Sequence, residues 1–428
     1  MNCKTCFKET EIGLIPEEWN VKKLSDLAII TDSLHKTPNY VENGYPMVRV
    51  KDLKEGFLNI NGALLVDSNV YNEFTRRCKP KKGDILVSRV GSYGIFSYIN
   101  SNEIFCLGQN TALISSNINS LYLFYCLKSS IVKTQIEKTV VGSTQKTLSL
   151  KNINNILIPV CGPEKQSIIA NFLYSLDSKI ELNRQMNTTL EQMAQAIFKH
   201  WFIDFEFPDE NGQPYRSSGG EMVDSELGEI PVGWEVKQIG NVCKIVGGGT
   251  PKTKEPSYWE DGDIFWATPT DMTSLKSPII FDTSRKITNK GLENSSAKLL
   301  PINSILMTSR ATLGYFAINK VPICTNQGFI SMIRDEDISK YYLLNAVRNK
   351  METIESLAGG STYPEISKTV FKSIKIIVPL LRVMQKYETF CDFLYEKIYS
   401  NDLENINLSE FRDTLLPKLM SGKIRVKP

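Results

Sequence analysis

Histidine is scarce in this chain, and the sequence signatures of several catalytic sites are absent. Only two histidines, His35 and His200, occur in 428 residues, and neither lies near a plausible serine or cysteine nucleophile. The chain has no Pro-Pro pair, which excludes the Pro-Pro-aromatic loop used in the methylation of adenine. No Gly-Lys-Ser/Thr loop is present to bind a nucleotide phosphate. We therefore expect a chain that binds and positions, and that catalyses no reaction alone.

Long hydrophobic runs and cysteines with disulfide-like spacing are also missing. No run approaches the roughly eighteen apolar residues of a membrane span, and the first residues lack the apolar core of a signal peptide. Nine cysteines are scattered along the chain, as in proteins of a reducing compartment. Cys3 and Cys6 have the spacing of half a zinc site, but no second half follows, which favours free thiols. These absences predict a cytoplasmic protein without a membrane segment or a metal.

Length and charge indicate a soluble protein of two domains with little excess charge. The chain carries 50 Lys and Arg against 47 Asp and Glu, and 42% of its residues are hydrophobic. One hydrophobic core rarely extends over 428 residues, so two domains are expected. Because the formal net charge is only +3, binding of a polyanion would require positive charge that is local or supplied by other subunits.

An internal repeat relates the two halves of the chain. Residues 11–19 read Glu-Ile-Gly-Leu-Ile-Pro-Glu-Glu-Trp, and residues 226–234 read Glu-Leu-Gly-Glu-Ile-Pro-Val-Gly-Trp. Further matches recur without a gap at an offset of 218 residues: Gln109/Gln327, Gly142/Gly360, Ser143/Ser361, Thr144/Thr362, Ser149/Ser367, Leu176/Leu394, Lys179/Lys397, Ile180/Ile398, Asn183/Asn401, Asn187/Asn405 and Leu190/Leu408. The duplication predicts approximate twofold symmetry, which suits a target that comes in two parts.

In each half, short strand-like runs are followed by a helical stretch and a closing strand. The predicted strands are 45–50, 83–89, 110–115 and 156–160 in the first half, and 263–268, 304–310, 329–333 and 374–379 in the second. Helical patterns cover 122–138 and about 339–356. This order predicts mixed α+β units rather than a regular βαβ alternation.

Two long helical patterns follow the two units. Neither Gly nor Pro occurs from Glu164 to His200, and a counterpart runs from about Val383 to Met420. We expect the two helices to pair antiparallel as a coiled coil, although core packing of a helical bundle gives a similar stripe. Buried asparagines commonly set register or partner choice at a cost in stability. The predicted seam consists of Leu176, Ile180, Asn183, Asn187, Leu190, Leu394, Ile398, Asn401, Asn405 and Leu408.

Polar loops that recur in both halves are candidates for a binding surface. The loops at 141–146 and 359–364 place small hydroxyl residues beside glycine, which lets a backbone approach phosphates or base edges. The segments 32–40 and 247–254 combine Thr-Pro with basic residues, which suits a polyanion. Ordinary solvated turns are the alternative explanation for each loop.

Basic residues near strand ends add to these candidates. Arg89 and Arg310 end matching strands, where arginine either reads guanine or forms a surface salt bridge. The cluster between Arg76 and Lys82 suits phosphate contact, with a solvated loop as the alternative. The candidate DNA-binding residues are His35, Lys36, Thr37, Arg49, Arg89, Ser92, Tyr93, Ser143, Thr144, Gln145, Lys146, Thr250, Lys252, Thr253, Arg310, Gln327, Ser361, Thr362 and Tyr363.

Motifs spread over nearly the whole chain carry a resemblance to a known family. They are residues 11–19, His35-Lys-Thr-Pro38, Lys179-Ile-Glu-Leu-Asn-Arg184, Ala196-Ile-Phe-Lys-His-Trp-Phe202, Gly248-Gly-Thr-Pro251, Thr325-Asn-Gln-Gly328 and Leu415-Leu-Pro-Lys-Leu-Met-Ser-Gly422. Each motif is weak alone, and together they are highly specific. The chain resembles the specificity subunit of a type I restriction-modification enzyme.

The resemblance implies two target-recognition domains that each read half of a split sequence in double-stranded DNA. The helices would act as a spacer and as docking surfaces for two modification (methyltransferase) subunits, and restriction (motor and nuclease) subunits would join them. S-adenosylmethionine, ATP and magnesium would belong to those partners, so this chain is expected to hold no cofactor. The expected segments are target-recognition domains at 1–162 and 225–380, a first spacer helix at 163–204, a linker at 205–224, and a second spacer helix with the C-terminal tail at 381–428.

Two other functions compete with this interpretation. A standalone restriction-methylation enzyme is the first, and the missing catalytic motifs weigh against it. A coiled-coil scaffold without a role in DNA binding is the second. Methylation by the purified chain would favour the enzyme, and failure to confer DNA binding on methyltransferase partners would favour the scaffold.

Overall fold

The computed structural model describes residues 6–140, 146–360 and 364–426. They form two compact units, of which the first contains the chain up to Glu181 together with the chain from Asn405 onward. The second unit is Leu182–Glu404. Each unit combines mixed sheets with helices, which confirms the predicted α+β class.

The first unit is built on a five-stranded and a three-stranded sheet. In spatial order, the five-stranded sheet consists of Ala28–Asp32, Thr111–Ser116, Ile85–Ser88, Phe96–Tyr98 and Gly56–Phe57. The three-stranded sheet consists of Cys106–Leu107, Tyr45–Val48 and Leu64–Val66. Two antiparallel pairs complete the unit: Phe7–Lys8 with Ile15–Pro16, and Asn20–Lys23 with Leu157–Val160.

The second unit repeats this topology strand for strand. Its five-stranded sheet consists of Cys243–Gly247, Phe329–Arg334, Ile305–Thr308, Phe316–Asn319 and Ile279–Ile280. Its three-stranded sheet consists of Ile323–Thr325, Ile264–Ala267 and Arg285–Ile287. The antiparallel pairs are Met222–Val223 with Ile230–Pro231, and Glu235–Gln238 with Lys375–Val378. The internal repeat predicted from the sequence is therefore confirmed in the folded units.

The helices of the two units also correspond, although Leu24–Leu27 matches the 3₁₀ turn Ile239–Asn241 and Pro269–Ser274 matches the 3₁₀ turn Val50–Asp52. The short ones are Leu24–Leu27, Ser68–Thr75, Ser120–Lys128, Ser130–Thr139 and Leu150–Asn154 in the first unit, and Pro269–Ser274, Asn289–Glu293, Lys340–Arg348, Met351–Leu357 and Lys368–Ser373 in the second. The first long helix is Pro163–Phe202 and the second long helix is Leu381–Met420, and the division between the units falls within both. No helix of the described residues has both the length and the apolar composition of a membrane span.

Two helical stretches that the sequence pattern treated as continuous are each divided in two. The predicted helix 122–138 is interrupted at Ser129, whose extended backbone ends one helix and begins the next. The Ser129 hydroxyl donates to the Cys126 carbonyl at 2.6 Å, which satisfies a carbonyl at the end of the first helix. The predicted helix 339–356 is interrupted after Arg348, at Asn349 and Lys350, without an extended residue. Apolar periodicity does not detect such breaks, because they depend on the backbone angles of one or two residues.

The segment expected to be a flexible linker is partly packed into the second unit. Phe205 and Phe207 are buried, and the Phe207 ring stacks on Trp234 with centroids 4.9 Å apart. Met222–Val223 then pairs with a strand of that unit. The Gly, Pro and Ser content of the segment indicated a surface connection, but burial of its two phenylalanine side chains is more favourable than leaving them in solvent.

In the second unit, the segments of the two long helices pair antiparallel through a polar seam. Asn401 Nδ2 donates to Asn187 Oδ1 at 2.8 Å, and further along, the Tyr387 hydroxyl donates to the Ala194 carbonyl at 3.4 Å. Asn187 Nδ2 in turn donates to Asp402 at 2.8 Å. Burial raises the pKa of the Asp402 carboxyl, although this hydrogen bond opposes the rise. Directional bonds of this kind fix the register of the two helices.

The predicted seam residues are buried to different extents. Those that are buried are Ile180, Asn183, Asn187, Leu394, Ile398 and Asn401. Those that are partly buried are Leu176, Leu190, Asn405 and Leu408.

A buried ion cluster joins the second long helix to the first unit. The Asp177 carboxylate accepts hydrogen bonds from Arg412 Nη1 at 2.5 Å and from the Tyr125 hydroxyl at 2.9 Å. Lys128 Nζ lies 3.6 Å from the same carboxylate, and both side chains are less than a tenth exposed. Burial lowers the pKa of the Lys128 ammonium, and the charge of Asp177 opposes this effect. Asp177 is therefore the buried counterion that the two cations share, and Arg412 also pairs with the more exposed Asp413 at 2.8 Å.

We expect Asp177→Asn to destabilise the first unit by about 3–5 kcal/mol, because Lys128 would keep its charge without a buried counterion and Arg412 would keep only the exposed Asp413. The measurement is chemical denaturation of the purified chain. Glu55→Gln is the control, because it removes the acidic partner of Lys133 from a pair about half exposed on both sides. That change should cost no more than about 1 kcal/mol. Equal effects of the two substitutions would contradict the assignment.

Candidate nucleic-acid interface

In the first unit, two loops that emerge from neighbouring strands meet through a hydroxyl–amide contact. Gln109 Nε2 donates to Thr37 Oγ1 at 3.3 Å, and both side chains belong to exposed residues. Thr37 lies after the strand Ala28–Asp32, and Gln109 precedes the strand Thr111–Ser116. These two strands pair with each other. The antiparallel ladder therefore places the two loops at the same edge of the five-stranded sheet.

Several candidate cations of the first unit are neutralised by carboxylates of the same chain. Asp32 accepts a hydrogen bond from His35 Nε2 at 2.9 Å and another from Arg89 Nη1. The Arg89 side chain is only 13% exposed. Lys36 pairs with Glu73, and each of these two side chains is about half exposed.

Arg49 is held still more firmly. Its guanidinium makes two hydrogen bonds to Asp52, Nε to Oδ2 at 2.8 Å and Nη2 to Oδ1 at 3.0 Å. Hydrogen bonding to Asp52 raises the pKa of the Arg49 guanidinium, against the opposing effect of burial. DNA phosphates would have to displace these carboxylates to gain the full charge of Arg49 or Arg89.

A glycine-bounded turn lies beside these loops. Gly91 and Gly94 adopt positive φ angles of 75° and 72° on either side of Ser92 and Tyr93. The Lys146 ammonium lies 6.0 Å from the centre of the Tyr93 ring, at the outer limit of a cation–π contact. The structure therefore brings Tyr93 and Lys146 together, while Ser92 remains exposed on the turn.

The second unit has the same contact between the corresponding loops. The Thr250 hydroxyl donates to Gln327 Oε1 at 2.6 Å, on exposed side chains. Lys252 and Thr253 are exposed further along the first of these loops. Arg310 Nε lies 3.5 Å from the Glu365 carboxylate, in a pair that is about half exposed on both sides.

Arg89 and Arg310 do not occupy matching positions, contrary to the prediction. Their strands correspond. However, Leu148 N donates to the Arg89 carbonyl, whereas its counterpart in the second unit, Ile366 N, donates to the Ser309 carbonyl. Arg89 therefore matches Ser309. Arg310 instead matches Val90, because each forms an isolated bridge to the segment that follows. A shift of one residue turns a side chain to the opposite face of a strand. This explains why Arg89 is largely buried while Arg310 is about half exposed.

Close packing of glycines holds the Thr250 loop in place. A Cβ atom on Gly248 would lie 2.0 Å from the Asn326 carbonyl oxygen and 2.3 Å from the Thr325 carbonyl oxygen. Gly249 N donates to the Thr325 carbonyl at 2.8 Å. The backbone of this loop therefore lies directly against the segment that carries Gln327, an approach that only glycine allows.

Six candidates, Ser143, Thr144, Gln145, Ser361, Thr362 and Tyr363, lie outside the described residues.

Two residues of this surface, Gln109 and Arg285, were not among the sequence-based candidates. Gln109 contacts Thr37, and its match with Gln327 at the repeat offset was the available signal. Arg285 lies with its guanidinium carbon 3.7 Å from the centre of the Trp259 ring. The repeat gave no signal for Arg285 because Leu64 occupies the matching strand position of the first unit.

The chemistry available at these surfaces is recognition by charge and hydrogen bonding. Over the described ranges, no group of three or more His, Cys, Asp or Glu side chains has the geometry to hold a metal ion. Seven of the eight described cysteines are buried and form no disulfide. Burial raises the pKa of the Cys78 thiol to about 12, which makes it a poor nucleophile at neutral pH.

Comparisons with known proteins match both repeats. A family model for the type I restriction modification DNA specificity domain matches residues 16–192 and 231–407. The chain is 28% identical over 433 residues to the type I restriction enzyme MjaIX specificity subunit of Methanocaldococcus jannaschii, covering 99% of this chain and 98% of that protein. It is 28% identical over 403 residues to the HindI specificity subunit of Haemophilus influenzae, covering 80% and 87%.

A solved structure shares the fold. The crystal structure of a type I restriction-modification system S subunit from M. genitalium superposes with a TM-score of 0.53 at 16% identity. The match covers 94% of this chain and 96% of that chain.

We expect Gly248→Ala to destabilise the second unit by about 1–3 kcal/mol, because its methyl group would press on backbone atoms that cannot rotate away. Gly359→Ala is the matched control, because a Cβ at Gly359 has no neighbour within 4 Å and that change should stay within about 0.5 kcal/mol. Calorimetric unfolding of the purified variants measures both. If Gly248→Ala were as stable as the control, the close approach of the loop would be refuted.

Proposed function

The chain belongs to the type I restriction-modification DNA specificity family, and we propose that it reads a split DNA sequence with one repeat on each half. It is a specificity subunit, which binds DNA and assembles with methyltransferase and restriction subunits.

The observation that carries the proposal is the recurrence of one loop contact on two copies of the same scaffold. Thr37 with Gln109 and Thr250 with Gln327 occupy matching positions of the five-stranded sheets. The side chains around these contacts differ between the units, since His35 and Lys36 precede Thr37 where Gly248 and Gly249 precede Thr250. A shared scaffold with different surface groups suits two different half-sequences.

We further propose that the chain catalyses neither methylation nor cleavage. Its candidate residues are hydrogen-bond donors, acceptors and cations on exposed loops, and the catalytic sequence signatures sought in it are absent. The chemistry would belong to the partner subunits, and the complex would work in the cytoplasm. Methyl transfer from S-adenosylmethionine to DNA by the purified chain alone would refute this proposal.

Exposed apolar side chains on the two long helices support docking of two methyltransferase subunits. In the first unit, Phe172 is 40% and Phe411 is 51% exposed, and their ring centroids are 6.3 Å apart. The repeat-related residues of the second unit are Phe390 and Met193, at 40% and 44% exposure. Exposed apolar side chains at matching positions are typical of protein interfaces. Two copies of one surface would accept two copies of one partner.

Exchange of one recognition surface should change half of the recognised sequence. We would replace Leu24–Ile156 with the matching segment of another family member and map the methylated motif in cells that carry the partner subunits. The cut is placed where Leu24 N donates to the Ile156 carbonyl at 2.8 Å, so the closing strand pair stays intact. One half of a bipartite motif should change while the other half and the gap are kept.

The reciprocal exchange of Ile239–Ile374 is the matched control, because Ile239 N makes the equivalent 2.8 Å bond to the Ile374 carbonyl. It should alter only the other half of the motif. An undivided motif, or a change in both halves from a single exchange, would contradict the division of labour between the units.

Loss of one apolar surface should remove one partner. With Phe172→Ser and Phe411→Ser combined, we expect two bound methyltransferase subunits to become one at concentrations that saturate the unaltered chain, because a buried aromatic anchor is worth about 2 kcal/mol or more at an interface. Mass measurement of the assembled complex gives the count. Ile104→Ser, which removes a 58% exposed side chain elsewhere in the first unit, should leave two. Two bound subunits in the double variant would place the docking surface elsewhere.

A further inference from the structure

Three cations of the second unit form a patch without carboxylate partners. Lys252, Arg285 and Lys290, called here the unpaired basic patch, are exposed. Of the ion pairs within 4.0 Å that the described residues form, none includes a member of the patch. Arg49, Arg89 and Arg310, by contrast, each face a carboxylate of the same chain. A phosphate can bind the patch without displacing an acidic side chain.

The guanidinium of Arg285 is held in place by an aromatic platform. It lies over the Trp259 ring, and the Trp259 and Trp266 rings meet edge to face with centroids 5.0 Å apart. Trp259 Nε1 donates to the Lys252 carbonyl at 3.1 Å, and Trp266 Nε1 donates to the Gly249 carbonyl at 3.0 Å. Stacking satisfies the face of the guanidinium and leaves its N–H groups available at the edges.

Of the neighbouring lysines, Lys290 lies beside the platform, whereas Lys286 follows Arg285 in the same strand and lies on the opposite face of the sheet. Lys286 Nζ lies 4.4 Å from the centre of the Phe265 ring. Lys290 Nζ donates to Ser257 Oγ at 3.1 Å and lies 5.9 Å from the Tyr258 ring. An aromatic ring orients a cation without neutralising it, so the positive potential of the patch stays directed towards solvent.

The patch is continuous with the loop that carries the repeated hydroxyl–amide contact. Gly249, whose carbonyl accepts from Trp266, directly precedes Thr250, and Lys252 follows two residues later. The platform that holds Arg285 therefore also holds the backbone that presents Thr250 to Gln327. Groups suited to base edges and groups suited to phosphates lie on one surface of the second unit.

Unpaired cations of the first unit follow the equivalent helix. Arg76, Arg77 and Lys79 come directly after the helix Ser68–Thr75, which corresponds to the helix Asn289–Glu293 that carries Lys290. None of these three has a carboxylate within 4.0 Å among the described residues. Both units therefore carry positive charge without carboxylate partners on or directly after this helix, and the aromatic platform with Arg285 belongs to the second unit.

We propose that the unpaired basic patch binds the DNA phosphates beside the half-sequence read by the second unit, with Arg285 as its fixed anchor. This inference rests on the proposed function and adds the residues that determine affinity. Each phosphate neutralised by a protein cation releases bound counterions, so the patch should govern how strongly binding depends on salt.

The test measures DNA binding by the complete chain assembled with its methyltransferase subunits, over a range of salt concentrations. The probes are two duplexes of equal length, one containing the methylated motif mapped in cells and one with that motif scrambled. Arg285→Gln should reduce the slope of log affinity against log salt by about 0.9, and the affinity about eightfold at 0.1 M salt. Both duplexes should lose affinity equally, because phosphate contacts carry no sequence information.

Two further variants serve as controls. One removes a charge outside the patch, and the other removes the ring under Arg285 without changing any charge. Lys237→Gln removes a single exposed charge of the same unit, one that pairs with Glu235 at 2.7 Å, and should leave the slope unchanged. Trp259→Leu keeps every cation but loses the platform, so the affinity should fall several-fold with an unchanged slope. Circular dichroism and thermal unfolding establish that each variant is folded before binding is compared.

The outcomes distinguish this inference from the proposed function. An unchanged slope for folded Arg285→Gln, with a bipartite motif still mapped for the unaltered protein, would overturn the inference alone. Loss of affinity for the motif duplex only would also overturn it, because Arg285 would then contact a base. An undivided motif for the unaltered protein would instead overturn the proposed function.

Discussion

Apolar burial between segments far apart in the sequence is the interaction on which the rest of the structure depends. The core of the first unit is completed by Leu416, Leu419 and Met420, near the end of the chain. The core of the second unit takes Ala194, Phe198 and Phe202 from the first long helix, where Phe202 meets Tyr342 and Tyr387 edge to face. Burial of side chains of this size contributes about 1.5–3 kcal/mol each, so the helices are integral parts of both units.

Polar groups on the helices then restrict how this apolar surface pairs. Asn187 with Asn401, and Asp177 with Arg412, would each be left unsatisfied by a shift of one helical turn. Such groups add little net stability, because removing them from water has a cost similar to the gain from their contacts. Their effect is on register, and register determines which side chains remain outside. The exposed Phe172, Phe411, Met193 and Phe390 are what that register leaves for a partner.

Electrostatics separates the candidate DNA contacts into two kinds. Arg49 and Arg89 are held by carboxylates in partly buried sites, where they support the loops and offer a phosphate little free charge. Arg285 is held by a tryptophan ring, which fixes its position and preserves its charge. The formal net charge of only +3 is compatible with this arrangement, because a few cations without carboxylate partners are enough to make one part of the surface positive.

The sequence alone determined the duplication, the α+β class, the two long helices and the family, because these depend on local periodicity and on motifs that recur in order. It also marked Thr37, Thr250 and Gln327, because the loops that carry them have distinctive composition. Only the tertiary structure showed that Gln109 completes the same contact, that Arg89 and Arg310 differ by one residue in register, and that Phe205 and Phe207 join a core. The physical reason is that pairing, burial and stacking depend on which distant residues meet in the fold. The sequence around Arg285, for example, does not indicate that its guanidinium stacks on the Trp259 ring.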